Sequence, residues 1–361
     1  MTAALFVVGL VLLVLGAESL VRGASRLAAS IGISPLVIGL TVVAFGTSAP
    51  EMAVSIGSSL TGSADVAIGN VVGSNIFNVL LILGLSALVA PLVVSQQLVR
   101  LDVPLMIGAS VVLWLLVLDG RVGRADGVLL TGGILVYTWW AIRSSRRESR
   151  LVEREYAAEF GERDRSRGRL AFDVLRVAAG LALLVLGSRW FVEGAIAIAE
   201  SLGVSDLVIG LTVVAAGTSM PELATSVVAS LRGERDIAVG NVVGSNLFNI
   251  LAVLGVSAIV APDGVPVALS AVRIEIPVMS AVALACLPIF FAGYVISRWN
   301  GLLFVGMYGL YVAYLILDAT EHGALGPFAV VTLGFVLPVT AVVLGYLALR
   351  AMRAGRHAGA V

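Results

Sequence analysis

The sequence contains no lysine: all 23 basic residues are arginine, and 23 acidic residues balance them to a formal net charge of zero. A chain without a basic excess lacks the field that nucleic acid binding draws on, so nucleic acid is set aside as a partner. The missing lysine itself is a compositional bias without functional content. Cysteine is nearly absent: Cys286 alone cannot form an internal disulfide, and the redox compartment stays unread. The two histidines, His322 and His357, lie outside the long apolar runs, which counts against zinc chemistry and histidine-dependent hydrolysis inside a membrane. Charge is scarce throughout, at 13% of 361 residues against 59% hydrophobic. A soluble domain of this size carries about a quarter charged residues to cover its surface. This chain must face something other than water.

What fills the chain instead is a series of apolar runs of roughly 20 residues, each able to cross about 30 Å of hydrocarbon as a helix, with a mean hydropathy of +1.04. The first run, Ala3 to Gly16, has no basic residue ahead of it and no clear small-residue cleavage site after it. It reads as a transmembrane helix rather than a signal peptide.

A duplication organises the runs. Leu36–Glu51 (LVIGLTVVAFGTSAPE) returns as Leu207–Glu222 (LVIGLTVVAAGTSMPE), identical at 14 of 16 positions, and Gly69–Asn78 (GNVVGSNIFN) returns as Gly240–Asn249 (GNVVGSNLFN), identical at 9 of 10. The register is 171 residues; it also aligns Gly16 with Gly187, Gly23 with Gly194, Gly84 with Gly255 and Pro91 with Pro262. After a two-residue shift, Arg100-Leu-Asp102 matches Arg273-Ile-Glu275. The expected architecture is an all-α polytopic membrane protein of about 11 transmembrane helices: residues 1–142 form a first repeat of five spans, 143–170 a charged solvated linker, 171–317 a second repeat of five, and 318–361 an extra C-terminal helix (Gly326–Leu349) with a tail. Five spans per repeat make the second repeat run upside down relative to the first. The positive-inside rule tests this: with the linker cytoplasmic and the N-terminus outside, 19 arginines fall inside and 4 outside. The expected location is a plasma (inner) membrane with a cytoplasmic C-terminus.

The repeated segments also carry residues that a lipid-facing helix avoids. Pro50 and Pro221 interrupt apolar runs, remove a backbone donor and disfavour helix at the residue before them. Ser48 with Glu51, and Ser219 with Glu222, fit the S-x-x-E capping box. The second and seventh spans are therefore expected to be broken, with a new helix beginning at bilayer depth. Broken helices at matching places in inverted repeats point to a transporter's binding site. Glu51 and Glu222 are intramembrane acids, which default to function over mere capping. Face to face they repel, and a divalent cation between them removes that repulsion and much of the burial cost. Asn70, Ser74 and Asn78 recur at i, i+4, i+8, as do Asn241, Ser245 and Asn249, so each set shares a helix face. Close helix packing explains Gly69 and Gly73 but not a stripe of amides and hydroxyls, which is expected to line the site. Such an all-oxygen set suits hard cations such as Ca2+ and Na+. Arg100 with Asp102, and Arg273 with Glu275, read as helix-start charges that snorkel or pair locally. Glu18 lies near the end of the first span, and Trp139, Trp140 and Trp299 read as interfacial anchors.

GTSAPE with GNVVGSNIFN, followed by GTSMPE with GNVVGSNLFN, resembles the α-repeats of the sodium/calcium exchanger family, of prokaryotic type, over both halves of the chain. The resemblance implies ten core helices, alternating access, a site between spans two, three, seven and eight, and a sliding gate made of spans one and six. It implies Glu51 and Glu222 as shared Ca2+ and Na+ carboxylates, and Thr47 and Thr218 as donors of carbonyls and hydroxyls. It implies Ser48, Ser74, Ser219 and Ser245 at Na+ sites, backbone carbonyls from Ala44 and Ala215, and Asn78 and Asn249 at the centre. Many members carry aspartate where this sequence has Asn249. Two fixed charges match one Ca2+, whereas three Na+ would exceed them by one. The extra helix is a second departure, and the linker is too short for a Ca2+-sensing domain. The expected function is a Na+/Ca2+ antiporter without covalent chemistry, cofactor or obligatory protein partner. A Ca2+/H+ antiporter using the same glutamates is the alternative, ahead of a cation channel, a receptor or a membrane hydrolase.

Overall fold

The computed structural model describes residues 2–160, 167–291, 293–340, 342, 345 and 346. Apolar backbone in hydrocarbon has no water to bond, so each run closes its own hydrogen bonds as a helix. In chain order the helices are α1 (Thr2–Ile31), α2 (Pro35–Thr47), α3 (Ala49–Leu60), α4 (Asp65–Val89), α5 (Leu98–Asp119), α6 (Arg124–Phe160) and α7 (Arg167–Ser201). They continue as α8 (Asp206–Gly217), α9 (Met220–Leu231), α10 (Arg235–Val260), α11 (Ala271–Phe291), α12 (Arg298–Ala319) and α13 (Leu325–Thr340). Eight are long and apolar enough to cross a membrane, and there are up to ten spans if α2–α3, bent by 46°, and α8–α9, bent by 55°, each count as one. The chain is thus a multi-pass membrane protein. The expected Gly326–Leu349 helix is present as α13 through Thr340, and the rest of that run lies largely outside the described residues. Much of the charged linker is helical too, because α6 continues to Phe160 and α7 starts at Arg167.

Both bends fall where the GTS-x-PE segments put them. Ser48 (φ −80°, ψ 8°) and Ser219 (φ −88°, ψ 8°) leave helical geometry, and Pro50 and Pro221 occupy the first turn of α3 and α9, where a missing N–H costs nothing. The capping boxes expected there do not form: neither serine side chain bonds the helix it precedes. Both hydroxyls are committed elsewhere, as the site geometry shows.

The centre is built from α4 and α10, whose most apolar windows are 78% buried, against 33% for α1 and 28% for α7. Elements of the two repeats meet across the middle. Strand β1 (Leu92–Val93) pairs antiparallel with β4 (Val295–Ile296), and β2 (Arg121–Val122) with β3 (Val265–Pro266), so each ribbon takes one strand from either copy. Helices α1 and α7 cross antiparallel and almost backbone to backbone. A Cβ placed on Gly16 would stand 2.8 Å from Leu184 N, and one on Gly187 would stand 2.8 Å from Leu13 N. Glycines at 9, 16 and 23 and at 180, 187 and 194, each seven residues apart, make that approach possible.

The remaining charges depart from their expected readings. Asp102 does not snorkel: it is fully buried and accepts from Tyr137 Oη at 3.0 Å and Gln97 Nε2 at 3.4 Å. Among the described residues no ion pair joins it to Arg100. Its counterpart Glu275 is only half-buried. Glu18 is not at a helix end, since α1 continues to Ile31; it pairs with Arg22 one turn on and with Arg232, whose Nη2 lies 2.6 Å away. Trp139 and Trp299 are exposed, and Arg143 lies over the Trp139 ring at 5.4 Å.

Candidate functional site

Glu51 opens α3 and Glu222 opens α9, each in the first turn after its bend, where the helix N-terminus favours negative charge. Both side chains are buried, at 0% and 1% exposure. The structure ties them together crosswise. Ser219 Oγ donates to Glu51 Oε1 at 2.8 Å, and Ser48 Oγ donates to Glu222 Oε1 at 3.0 Å. Each serine thus serves the carboxylate of the other repeat instead of capping its own helix. A hydroxyl donating to a carboxylate makes a stronger bond than one accepting from a neutral amide, and that difference explains the missing capping boxes. The second oxygen of each glutamate, Oε2, is buried without a protein partner.

Helices α4 and α10 supply the next layer. Asn70 Nδ2 donates to the Glu51 carbonyl at 3.1 Å and to Ser55 Oγ at 2.9 Å; Asn241 Nδ2 donates to the Glu222 carbonyl at 3.4 Å and to Ser226 Oγ at 3.0 Å. Their oxygens accept from threonines of the opposite repeat: Thr47 Oγ1 to Asn241 at 3.1 Å, Thr218 Oγ1 to Asn70 at 3.5 Å. The two stripe asparagines therefore brace the bends, and their polar atoms are engaged by protein. Ser74 and Ser219 hydroxyls lie 3.1 Å apart, whereas Ser245 Oγ is buried and unpaired. Asn78 and Asn249 begin the π-helical turns Asn78–Leu83 and Asn249–Val253, a local widening common at functional sites. Each donates its amide across the interface and keeps Oδ1 buried and unpaired. Ala44 is buried, its carbonyl accepting from Ser48 N at 3.0 Å, while Ala215 is exposed.

The two ends of this layer differ. Leu36, Leu40 and Val43 of α2 are buried against α10, so close that a Cβ on Gly244 would stand 2.7 Å from the Leu40 carbonyl oxygen. Two of the three equivalents in α8 are open: Leu207 and Val214 are 47% and 48% exposed while Leu211 is half-buried, and a Cβ on Gly69 or Gly73 of α4 would meet no described residue within 4 Å.

Asn75 and Asn246, which the i, i+4, i+8 stripe passes over, hold the central asparagines; Ser55 and Ser226 hold Asn70 and Asn241. Their signal in the sequence is recurrence at the same repeat position, one residue off the face that periodicity picks out.

Buried acceptors without donors face a cost that a cation relieves. Here the orphaned atoms are two carboxylate oxygens, two amide oxygens and a hydroxyl, all hard donors. Among the described residues no three His, Cys, Asp or Glu side chains cluster. Carboxylate, amide and hydroxyl oxygens without nitrogen or sulfur match alkali and alkaline-earth ions rather than zinc or copper.

The known proteins most informative for comparison agree with this chemistry. The CaxA protein of Alkalimonas amylolytica is 44% identical over 292 residues, spanning 80% of this chain and 89% of its own. The sodium/calcium exchanger MaX1 of Methanosarcina acetivorans is 34% identical over 343 residues, covering 86% of this chain and 97% of its own. A solved structure of the sodium-calcium exchanger NCX_Mj superposes with a TM-score of 0.74 at 32% identity, covering 87% of this chain and 98% of that one. The family model for sodium/calcium exchanger proteins matches residues 1–143 and 172–317. On that match, and with two cross-braced glutamates at paired helix breaks, the chain belongs to the sodium/calcium exchanger family.

Proposed function

We propose that the protein is a secondary active antiporter that exchanges Na+ for Ca2+ by alternating access. The observation that carries this reading is the crossed Ser48–Glu222 and Ser219–Glu51 pairing, which leaves one oxygen of each glutamate buried, unpaired and available to a shared cation. Ca2+ is held by Glu51 and Glu222 with Asn78 and Asn249 and the carbonyls of Thr47 and Thr218. Na+ ions use the same glutamates together with Ser48, Ser74, Ser219, Ser245 and the Ala44 and Ala215 carbonyls. The chain comprises inverted repeats at 1–142 and 171–317, the linker at 143–170 and an eleventh helix within 318–361. Antiparallel packing of α1 on α7 and the two exchanged ribbons support the inversion. With the N-terminus outside and the linker and C-terminus in the cytoplasm of an inner membrane, the open α8–α4 end faces outward. The closed α2–α10 end faces the cytoplasm.

The test is Ca2+ flux into vesicles containing the purified protein. A Na+ gradient at clamped pH drives uphill Ca2+ movement in this reading. Flux driven by a pH gradient alone transfers the reading to Ca2+/H+ exchange through the same glutamates, and passive Ca2+ leak without coupling overturns both.

A further inference from the structure

Four asparagines form two crossed pairs between α4 and α10, and of the four only the outer two, Asn75 and Asn246, have protein atoms at every side-chain polar position. Asn249 Nδ2 donates to Asn75 Oδ1 at 3.1 Å, and Asn78 Nδ2 donates to Asn246 Oδ1 at 3.0 Å. All four side chains are at most 2% exposed, so water does not compete for these bonds. The direction of each bond follows from what stands behind it. Asn75 Nδ2 reaches the Asn246 backbone carbonyl at 3.3 Å and Met279 Sδ at 3.6 Å; Asn246 Nδ2 reaches Met106 Sδ at 3.4 Å. A carbonyl and a thioether only accept. Each outer asparagine must therefore turn its NH2 outward and its oxygen inward. The central asparagine facing that oxygen must then offer NH2, which leaves its own oxygen pointing away from its partner. Both of those oxygens, Asn78 Oδ1 and Asn249 Oδ1, are buried and unpaired.

We propose that Asn75 and Asn246 are positioning residues that lock the Asn249 and Asn78 carboxamides with oxygen toward the transported cation and NH2 away from it. The inference rests on the site proposed above and adds its means of rejection. A freely rotating carboxamide presents N–H to a cation half of the time, and a donor aimed at positive charge repels it. Met106 and Met279 complete the device, since neither thioether can donate and so neither can stabilise the reversed orientation.

The experiment is a double-mutant cycle read as the Ca2+ concentration for half-maximal exchange in vesicles. Asn75→Leu keeps the branched outline in a larger side chain and deletes the acceptor together with the Nδ2 donor behind it, and the half-maximal concentration should rise on the order of tenfold. In an Asn249→Asp background the same Asn75→Leu change should produce no further rise, because a carboxylate offers oxygen whichever way it turns. A packing role for Asn75 predicts equal rises in both backgrounds, and that result overturns the proposal, as does an unshifted Asn75→Leu protein. Asn246→Leu with Asn78→Asp repeats the cycle from the other repeat and decides the matter should Asn75→Leu fail to fold on size exclusion. Glu51→Gln, run alongside, separates the two levels. Loss of exchange in Glu51→Gln with an additive Asn75 cycle sinks this inference alone. Normal exchange in Glu51→Gln sinks the site itself.

Discussion

Leu36–Ala44 and Leu207–Ala215 have the same nine-residue sequence, LVIGLTVVA, and occupy opposite environments in one molecule. In α2 the segment is sealed, with Leu36 at 3% exposure and Val43 at 0%; in α8 the equivalents Leu207 and Val214 stand at 47% and 48%. The threonine that follows donates at 3.1 Å in the sealed copy and at 3.5 Å in the open one. Identical residues cannot encode two different local preferences, so the difference belongs to the tertiary state. The centre between them is symmetric in its main bonds: both serine–glutamate bonds, both asparagine braces and both central amide bonds are present, whereas Ser74 bonds Ser219 and its counterpart Ser245 is unpaired. A symmetric site between one closed and one open end is what exchanging the roles of two equivalent segments requires.

The largest effects are expected at the symmetric centre. Glu51→Gln and Glu222→Gln each remove one of the two carboxylates proposed to hold Ca2+, and each should lower Ca2+ exchange by at least about a hundredfold. The losses should match, and a tenfold difference between the two would break the symmetry. Next come the equivalent glycines of α10 and α4, Gly244 under the seated segment and Gly73 at the open end. Gly244→Ala drives a Cβ to 2.7 Å from Leu40, whereas Gly73→Ala meets no described neighbour. Overpacking costs about 1–3 kcal/mol, so Gly244→Ala should lower the melting temperature of the purified protein by several degrees and Gly73→Ala should not. Flux should fall in both, because α8 must seat on Gly73 when the ends exchange. Preserved flux in Gly73→Ala would mean that α8 never closes.

Cysteine labelling measures the comparison directly, since the native Cys286 is buried and gives little background. Leu207→Cys and Val214→Cys should react with a maleimide added to the detergent-purified protein, where both ends meet the reagent, at least about tenfold faster than Leu36→Cys or Val43→Cys, in line with their exposures. Equal rates would remove the distinction between the ends.

Much of this was legible in the residues. The duplication located both bends, both glutamates and the central asparagines, because identical motifs at a constant register leave few alternatives. The capping boxes were misread because S-x-x-E is a local pattern, and Ser48 and Ser219 found carboxylates some 170 residues away that no local rule weighs. The stripe predicts Asn70 and Asn241 as lining residues, whereas the structure has their amides holding the Glu51 and Glu222 carbonyls and their oxygens accepting from Thr218 and Thr47. Asp102 looked like an interfacial charge because Arg100 stands beside it, whereas its partner Tyr137 comes from α6. The open and closed ends left no mark at all, since the segments that differ are the same sequence.

The smallest expected effect concerns what favours one end. Arg232 Nε and Nη2 fork onto Glu18 at 2.7 and 2.6 Å, and Glu234 accepts from Ser25 at 2.8 Å, joining α1 to the end of α9 beside the sealed α2. At the open end the register places Thr61 and Ser63 where Arg232 and Glu234 stand, and the counterpart of Glu18, Arg189, pairs with Glu193 on its own helix. Among the described residues the ionic contact therefore exists on one side only. It is partly exposed, so it contributes at most about 1 kcal/mol, enough to shift a two-state balance up to about fivefold. Arg232→Gln should raise the labelling rate of Leu36→Cys by a few-fold while leaving Leu207→Cys still reactive. It should act less at high salt, where exposed charges are screened. A Leu36→Cys rate unmoved by Arg232→Gln would leave the bias between the ends to packing alone, carried by Gly240 and Gly244 against the backbone of α2.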